Sequence, residues 1–550
     1  MFGIGFCTAV RPLCRKARRQ LLVGACALAV SSCSLVVDTK DREGCTTTSE
    51  CTKRYGEPSA CINSECIPLL TPECTEVWPP NALAQDNVIL VGLLGALTGP
   101  DPYGEPTTEG AKLALSEIEN SATGFSAPLS APDSGHRHLA MLVCDHGSDP
   151  VRVARHLVND AKVQMIIGAS FSTATLKIFD QVASPANVFV LSPSATSPEL
   201  SDHVDKGLLW RTTPSDVVQA EALKHLVVDV EHVLKESKIV PEGQRARITM
   251  PWKDDSAGSG LQKSVTKQDE EHPAPAVVVT QVDRYDNPDN PDVAQPLNWQ
   301  SHVDLVLNSS PNIILAMGTA EFVANMMPGI EDGWNGALPK PWYVFPEGDR
   351  SPALSQLVAE RFESDPGLNQ RIIGTAPGAR QSALYEPFRR GFVSAFQHEP
   401  GNLAEFGYDA GYLAAFAIAV ADRISPTGRQ LADAMTKLSC KGDPKSVVQA
   451  GGKFTRDFTT AQTQGCVDFD GASGPLDFDA NGEALSDIGM WCVRRNPDKT
   501  SGAAKDSLSF GFEPLLSDYY SITTSTVIDK TQGQDPLDLT RDRWCTDAVQ

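Results

Sequence analysis

Short apolar runs alternate with helix-like segments over most of this 550-residue chain, and this alternation is the strongest constraint on its fold. NVILVGLLGAL (87–97) is a continuous apolar run of the buried-strand type, and Ala111, Leu115 and Ile118 then recur at helical spacing. The unit repeats, with further predicted strands at HLAMLVCD (138–145), VQMIIGAS (163–170) and VFVLSPS (188–194). Short strands separated by helices predict an α/β fold with parallel, doubly wound sheets.

The same pattern continues in the second half of the chain. EALKHLVVDVEHVLKES (221–237) is a predicted helix, and RARITMPW (245–252) and PAVVVTQVD (275–283) are predicted strands. AEFGYDAGYLAAFAIAVADRI (404–424) is predicted to be a long amphipathic helix, and the periodicity weakens beyond Asn496. A chain of this length is too long for one ordinary core, so more than one folded unit is expected.

Two of the predicted strands end in clusters of hydroxyl groups. GASFSTAT (168–175) ends one strand and LSPSATSPEL (191–200) ends the next. Ser, Thr and Pro are common in ordinary turns, but ligands of open α/β sheets bind outside the carboxyl ends of the strands. The position of these clusters therefore predicts a small-molecule site in which hydroxyl and backbone N–H groups face a cleft.

The N-terminus has the parts of an export signal: a basic stretch, the apolar run LLVGACALAV, and small residues before Cys33. Residues 1–32 are predicted to be a signal peptide, because the apolar run is too short for a membrane span of about 20 residues. VSSC (30–33) is similar to a bacterial lipobox, which predicts lipidation of Cys33. Cys26 fits the same pattern but leaves an apolar segment of only about five residues, too short for a signal.

The predicted lipid anchors the protein to a membrane of the cell envelope, facing the periplasm or the exterior. Ser34 follows Cys33 where an inner-membrane retention signal would have Asp, which by analogy favours the outer membrane. A plain secreted protein or an uncleaved anchor is the alternative.

The mature chain is strongly acidic. Its formal charge is −22, and the five basic residues of the predicted signal, which contains no acid, leave −27 when they are removed. Nucleic acid is therefore excluded as a partner, since nucleic-acid-binding proteins neutralise phosphates with Lys and Arg.

Ten cysteines remain after Cys33, and export places them in an oxidising compartment. Five lie in the polar segment 34–80 and five in the body: Cys45, Cys51, Cys61, Cys66 and Cys74, then Cys144, Cys440, Cys466, Cys492 and Cys545. Complete pairing therefore requires at least one bridge between the two groups, although spacing leaves the connectivity open. A zinc site is disfavoured because 45–74 contains no His and no CxxC pair. We interpret 33–80 as a lipidated, disulfide-tied stalk.

No catalytic or cofactor-binding motif is present. The chain lacks HExxH, GxSxG, Walker and GxGxxG patterns. DFDANG (477–482) is similar to the start of an EF-hand loop, but the twelfth position of that loop, which requires a bidentate Glu, is Ile488. His136, His138 and His146 are interpreted as surface residues rather than metal ligands. The sequence predicts a non-enzyme that needs no cofactor or metal.

Five segments occur in a characteristic order along the chain: GLLGALTGPDPYGEPTTEGAKLALSEIEN, IIGASFSTAT, LSPSATSPEL, FGYDAGYLAAFAIAVA and GPLDFDANG. Together, over Val88 to Val493, they resemble the type 1 periplasmic solute-binding proteins, the branched-chain amino-acid-binding class of ABC transport systems. The resemblance implies two α/β lobes joined by a hinge that close on a solute between them. It places lobe one at 86–212 and 346–440 and lobe two at 213–345 and 441–495, followed by a tail at 496–550.

The resemblance also implies a set of ligand-binding residues: Tyr103, Ser172, Ser194, Ala195, Thr196, Thr319 and Glu347. Glu347 matches an acid that binds a solute ammonium group, and the Ser and Thr hydroxyls suit a carboxylate. Two aromatic positions of the amino-acid binders are replaced here, one within Met317–Ala320 and one within Asp255–Gly258. The solute is therefore left open between an amino acid and another small polar carboxylate.

The sequence thus predicts a lipid-anchored solute receptor whose partners are a small polar solute, an ABC permease and the membrane that holds its lipid. The mechanism expected is hinge closure, with lobe one binding first. The alternative is a sensory or interaction module in which the same closure signals to a protein partner.

Overall fold

The computed structural model describes residues 44–98, 103–122, 126–147, 149–267, 277–290, 293–378, 382–440, 446–451, 454–464, 466–495, 510–521 and 526–529. The predicted signal peptide, Cys33, Cys545 and most of the tail lie outside these ranges.

Nineteen strands lie in the described ranges: β1 (Ser59–Ile62), β2 (Glu65–Pro68), β3 (Cys74–Trp78), β4 (Val88–Gly95), β5 (His138–Asp145), β6 (Met165–Gly168), β7 (Phe189–Ser192), β8 (Leu209–Arg211), β9 (Ile248–Asp254), β10 (Gln281–Asp286), β11 (Ile313–Leu315), β12 (Trp342–Phe345), β13 (Ile372–Pro377), β14 (Val447–Gln449), β15 (Asp468–Gly471), β16 (Gly474–Pro475), β17 (Ile488–Arg495), β18 (Phe510–Ser521) and β19 (Thr526–Asp529).

The same ranges hold fifteen α-helices: α1 (Thr48–Tyr55), α2 (Gly104–Ala122), α3 (Pro150–Arg155), α4 (Ser172–Ile178), α5 (Ser184–Ala186), α6 (Asp216–Glu236), α7 (Ser256–Thr266), α8 (Trp299–Ser309), α9 (Ala320–Asn325), α10 (Met327–Gly333), α11 (Pro352–Arg361), α12 (Tyr385–Phe396), α13 (Ala404–Val420), α14 (Gly428–Met435) and α15 (Phe454–Thr463). Short π-helical stretches extend α3 and connect α4 to α5.

Two large sheets define two lobes. The first lobe contains a six-stranded sheet of order β3-β5-β4-β6-β7-β8, and the second an eight-stranded sheet of order β10-β9-β11-β12-β13-β17-β18-β19. All pairs are parallel except those that involve β3 and β17–β19. The predicted α/β class with parallel sheets is confirmed, with antiparallel strands added at one edge of each sheet.

The chain passes from one lobe to the other at several points, and the strand pairing puts two of these crossings at positions that differ from those implied by the resemblance. The first crossing follows β8, but β12 and β13 pair in parallel with β11 and with each other in the second lobe. The chain therefore returns to the first lobe after Pro377 rather than at 346. Val448, Phe469 and Leu476 pack in the core of the first lobe, so the described residues between 447 and 476 belong there and not with lobe two.

The cysteine-rich segment packs directly on the first lobe. Leu69, Val77 and Leu83 join the core of that lobe, and β3 forms the edge strand of its sheet. Cys74 is bonded to Cys144 of β5, which confirms the expected bridge between the two groups of cysteines. From Cys45 onward this segment is therefore part of the folded body rather than a spacer.

The remaining disulfides within the described ranges are local. They join Cys45 to Cys61, Cys51 to Cys66, and Cys440 to Cys466. Cys492 is disulfide-bonded as well.

Helix α13 is buried along its whole length, which differs from the amphipathic helix expected from its sequence. It packs closely against α2, because glycines on both helices bring their backbones together. A Cβ atom added to Gly110 would lie 2.1 Å from the carbonyl oxygen of Ala404, and one added to Gly407 would lie 2.1 Å from that of Thr107. Such contacts are possible only without side chains.

We expect Gly407→Ala to lower the free energy of unfolding by about 1–3 kcal/mol, because the added methyl group would force the two helices apart. Gly367→Ala is the matched control, since its added Cβ would lie 3.6 Å from Asp365 Oδ1, an ordinary contact. Chemical denaturation of both variants checks the prediction, and equal stabilities would contradict it.

Candidate functional site

A cavity of about 50 Å³ lies between the two lobes, where the carboxyl ends of parallel strands from both sheets face each other. The first lobe contributes residues 170–173 after β6, Ser194 and Thr196 after β7, and Tyr103 before α2. The second lobe contributes residues near the ends of β9, β11 and β12. This is the position at which open α/β sheets bind ligands.

Six of the seven residues implied by the resemblance line this cavity: Tyr103, Ser172, Ser194, Thr196, Thr319 and Glu347. The seventh, Ala195, is fully buried beneath it. The N–H of Ala195 donates to Ser192 Oγ at 3.1 Å, and its carbonyl accepts from Arg211 at 3.3 Å. Its methyl group packs in the core of the first lobe, away from the cavity.

The hydroxyl groups of the first lobe hold the cavity loops in place. Ser194 Oγ donates to the carbonyl of Ser170 at 2.8 Å, and Ser170 Oγ accepts from the N–H of Ala96 at 2.9 Å. Ser172 Oγ accepts from the N–H of Ser197 at 3.1 Å. These bonds connect the ends of three adjacent strands, so this wall of the cavity is pre-organised.

Glu347 lies in the second lobe and accepts hydrogen bonds from two uncharged side chains. Tyr103 Oη donates to its Oε1 at 3.4 Å, and Gln219 Nε2 donates to its Oε2. Burial of the carboxyl group raises the pKa of Glu347, although both hydrogen bonds act in the opposite direction. Burial of a carboxylate without a cationic partner costs free energy. A cationic group bound beside Glu347 would therefore stabilise its charged form.

Lys253, at the end of β9, lines the cavity and was not identified from the sequence. Its Nζ lies 3.2 Å from Asp255 Oδ2 and 3.7 Å from Glu321 Oε1, and it donates to Thr319 Oγ1 at 3.0 Å. Burial disfavours the charged form, but the two carboxylates outweigh burial and leave the pKa of Lys253 above its ordinary value. The indication of this position in the sequence was a lysine directly after the apolar run ITMPW (248–252).

Asp216 is the second cavity residue that sequence reasoning missed. It begins α6, and its side chain is buried. Burial raises its pKa well above the usual range, and the charge of Glu347 raises it further. Asp216 lies before the helix predicted at 221–237, so the sequence did not mark it as a site residue, and only the fold showed that it lines the cavity.

The two lobes also contact each other directly beside the cavity. Ser197 Oγ donates to the carbonyl of Ser256 at 2.9 Å, and the N–H of Ser256 donates to Thr173 Oγ1 at 3.3 Å. Asn402 Nδ2 donates to the carbonyl of Arg350 at 2.6 Å. These hydrogen bonds hold the two lobes in a closed arrangement.

A family model for periplasmic binding proteins matches residues 88–332. Over these residues the chain is similar to the periplasmic binding proteins. Members of the family are extracytoplasmic solute receptors rather than enzymes. A comparison with curated protein sequences finds no match.

Solved structures of periplasmic binding proteins share the fold of this chain. The branched-chain amino-acid binding protein LivJ of Streptococcus pneumoniae, in complex with isoleucine, is 17% identical with a TM-score of 0.52, covering 78% of this chain and 99% of LivJ. The leucine-binding protein LivK of Thermotoga maritima is 16% identical with a TM-score of 0.53, covering 80% and 99%.

A solute-binding protein of an ABC transporter from Rhodopseudomonas palustris, in complex with 3,4-dihydroxybenzoic acid, is 14% identical with a TM-score of 0.51, covering 82% and 99%. These likenesses confirm the two-lobe fold of periplasmic binding proteins. In the part of the chain that the structure describes, no helix is both long and apolar enough to span a membrane.

Proposed function

We propose that this protein is an extracytoplasmic receptor that closes its two lobes on a small polar solute, an amino acid or a related carboxylate, for uptake by an ABC permease. The observation that carries the proposal is the cavity between the lobes, where the hydroxyls of Ser172, Ser194 and Thr196 face Glu347 from the opposite lobe. A solute that bridges these groups would hold both lobes together, which is how binding favours closure.

The relatives of known structure suggest the first compounds to test. LivJ of Streptococcus pneumoniae was solved with isoleucine, and the Rhodopseudomonas palustris protein with 3,4-dihydroxybenzoic acid. A thermal-shift screen of amino acids, amines and small carboxylates tests the proposal, and a screen in which no compound raises the melting temperature would contradict it.

We further propose that Cys33 carries the lipid that anchors the receptor. The small residues before Cys33 in VSSC support this step. Expression of a Cys33→Ser variant tests it, because the variant should leave the membrane fraction. Retention of the variant in that fraction would contradict lipidation at this position.

We expect Glu347→Gln to weaken binding of an amine-containing solute by about 30-fold or more, because loss of one member of a buried charge pair costs about 2–5 kcal/mol. Gln keeps the shape of the side chain, so the two lobes should still fold. Isothermal titration calorimetry measures the change.

The matched control for this variant is Glu363→Gln, which changes an exposed acid in the second lobe. The control should bind with unchanged affinity. Equal affinities of the Glu347→Gln variant and the unmodified protein would show that Glu347 does not bind the solute.

A further inference from the structure

Carboxylates outnumber cations around the cavity. Asp216, Asp255 and Glu347 line it, whereas Lys253 is the lining cation in the described part of the chain. Two further acids, Glu321 and Asp349, interact electrostatically with Lys253 from behind the wall of the second lobe. The charge of a bound solute therefore has a large effect on the free energy of binding, since these groups lie in a poorly solvated space.

Lys253 is already compensated by its own neighbours. Asp255 and Glu321 lie 3.2 Å and 3.7 Å from its Nζ. These two acids together exceed its charge, so Lys253 has no positive charge left to offer Asp216 or Glu347.

Asp216 and Glu347 form the uncompensated pair. Asp216 and Gln219 lie one turn apart on α6, and Gln219 Nε2 donates to Glu347 Oε2, which brings the two carboxyl groups to the same part of the cavity. Among the described residues, Asp216 Oδ2 has no hydrogen-bond partner. Arg211 lies near Asp216 but is paired with Glu483.

Asp349 adds a further buried carboxyl group close to this pair. It is completely inaccessible to solvent and follows Glu347 by two residues. Burial raises the pKa of Asp349, and the charges of Glu321 and Glu347 contribute in the same direction. Like charges confined in a buried space favour the uptake of positive charge.

We propose that the solute carries a net positive charge, with its cationic group bound between Asp216 and Glu347. This inference rests on the proposed function and narrows it to amines with more cationic than anionic groups, such as basic amino acids or diamines. A neutral amino acid, with its single ammonium group, would compensate only one of the two carboxylates, and a benzoate-type anion would compensate neither.

Four compounds built on one unbranched aliphatic chain separate charge from shape: cadaverine, lysine, norleucine and 2-aminoadipate. Isoleucine and 3,4-dihydroxybenzoate complete the panel. We expect cadaverine or lysine to bind about 30-fold or more tightly than norleucine and 2-aminoadipate, as measured by isothermal titration calorimetry, because the charged contact is buried.

Asp216→Asn tests the assignment of the pair. This variant should lose about 30-fold in affinity for the cationic compound while its solute-free melting temperature stays the same or rises, because a carboxyl group whose pKa burial already raises is replaced by a neutral amide of the same shape. Asp202→Asn, at an exposed position of the first lobe, is the control and should bind like the unmodified protein.

The outcomes distinguish this inference from the proposed function. Binding of norleucine, isoleucine, 2-aminoadipate or 3,4-dihydroxybenzoate as tightly as the cations overturns the charge inference and leaves the receptor function standing. A panel in which no compound raises the melting temperature counts against both. Preference for a cation that survives Asp216→Asn would overturn the role of Asp216.

Discussion

Replacing Lys253 with methionine is expected to lower the free energy of unfolding at pH 7 by about 3–5 kcal/mol, because it removes the cation from a buried cluster of acids. The Nζ group of Lys253 lies within 4 Å of both Asp255 and Glu321. Methionine fills a similar volume, so the loss would come from charge rather than from packing. Chemical denaturation at pH 7 measures it.

The effect of this substitution should depend on pH in a defined direction. Burial raises the pKa of Glu321, but Lys253 and the bonds from Thr319 outweigh burial and leave this pKa below its ordinary value. In the intact protein Glu321 therefore contributes stability at neutral pH that is lost as the pH falls through its folded-state pKa. Without Lys253 the carboxyl group of Glu321 would take up a proton more readily, so the loss of stability caused by the substitution should shrink between pH 7 and pH 5.

Lys263→Met is the matched control, because Lys263 is exposed on the neighbouring helix α7. Its stability should stay within about 0.5 kcal/mol of the unmodified protein. A Lys253→Met variant that is as stable as this control would contradict the stabilising role of Lys253.

Loss of the bridge between Cys74 and Cys144 is expected to have the second large effect. This disulfide closes a loop with a sequence separation of 70 residues, for which the chain-entropy relation gives about 4 kcal/mol. β3 pairs with β5 on one side of the sheet and forms its edge, so the bridge also keeps the cysteine-rich segment on the first lobe. A double Cys→Ala variant should melt about 10 °C lower.

The control for this prediction removes a local bridge instead. Cys51 and Cys66 both lie within the cysteine-rich segment and are separated by 15 residues. Their double Cys→Ala variant should loosen that segment and leave the main melting transition nearly unchanged. Equal losses in the two double variants would show that the segment and the first lobe do not unfold independently.

The elements of the fold could be read from local sequence because their periodicity is local. HLAMLVCD was predicted as a strand over 138–145, and β5 has those bounds. Helix α13 was located correctly, but its surroundings were not, because helices α2, α14 and α15 cover faces that its own sequence cannot show. The strand order and the later crossings between lobes depend on pairings between distant segments, such as β13 with β17.

The candidate site was predicted in part for the same reason. The hydroxyl clusters after two predicted strands and Glu347, which the resemblance implied, lie in loops that the fold brings to one cavity. Ala195 was included with its neighbours although it lies in the core, since a linear motif does not show which way each side chain points. Whether these residues bind solute remains a prediction.

The sequence by itself determined the α/β class, the hydroxyl-rich strand ends and the need for a bridge from the cysteine-rich segment to the body, because these follow from local patterns and from an odd number of cysteines. Only the tertiary structure decided that Asp216 and Glu347 share a cavity and that Lys253 is compensated by Asp255 and Glu321. These properties arise from burial and from distances between residues far apart in the chain, and the proposed preference for a cationic solute rests on them.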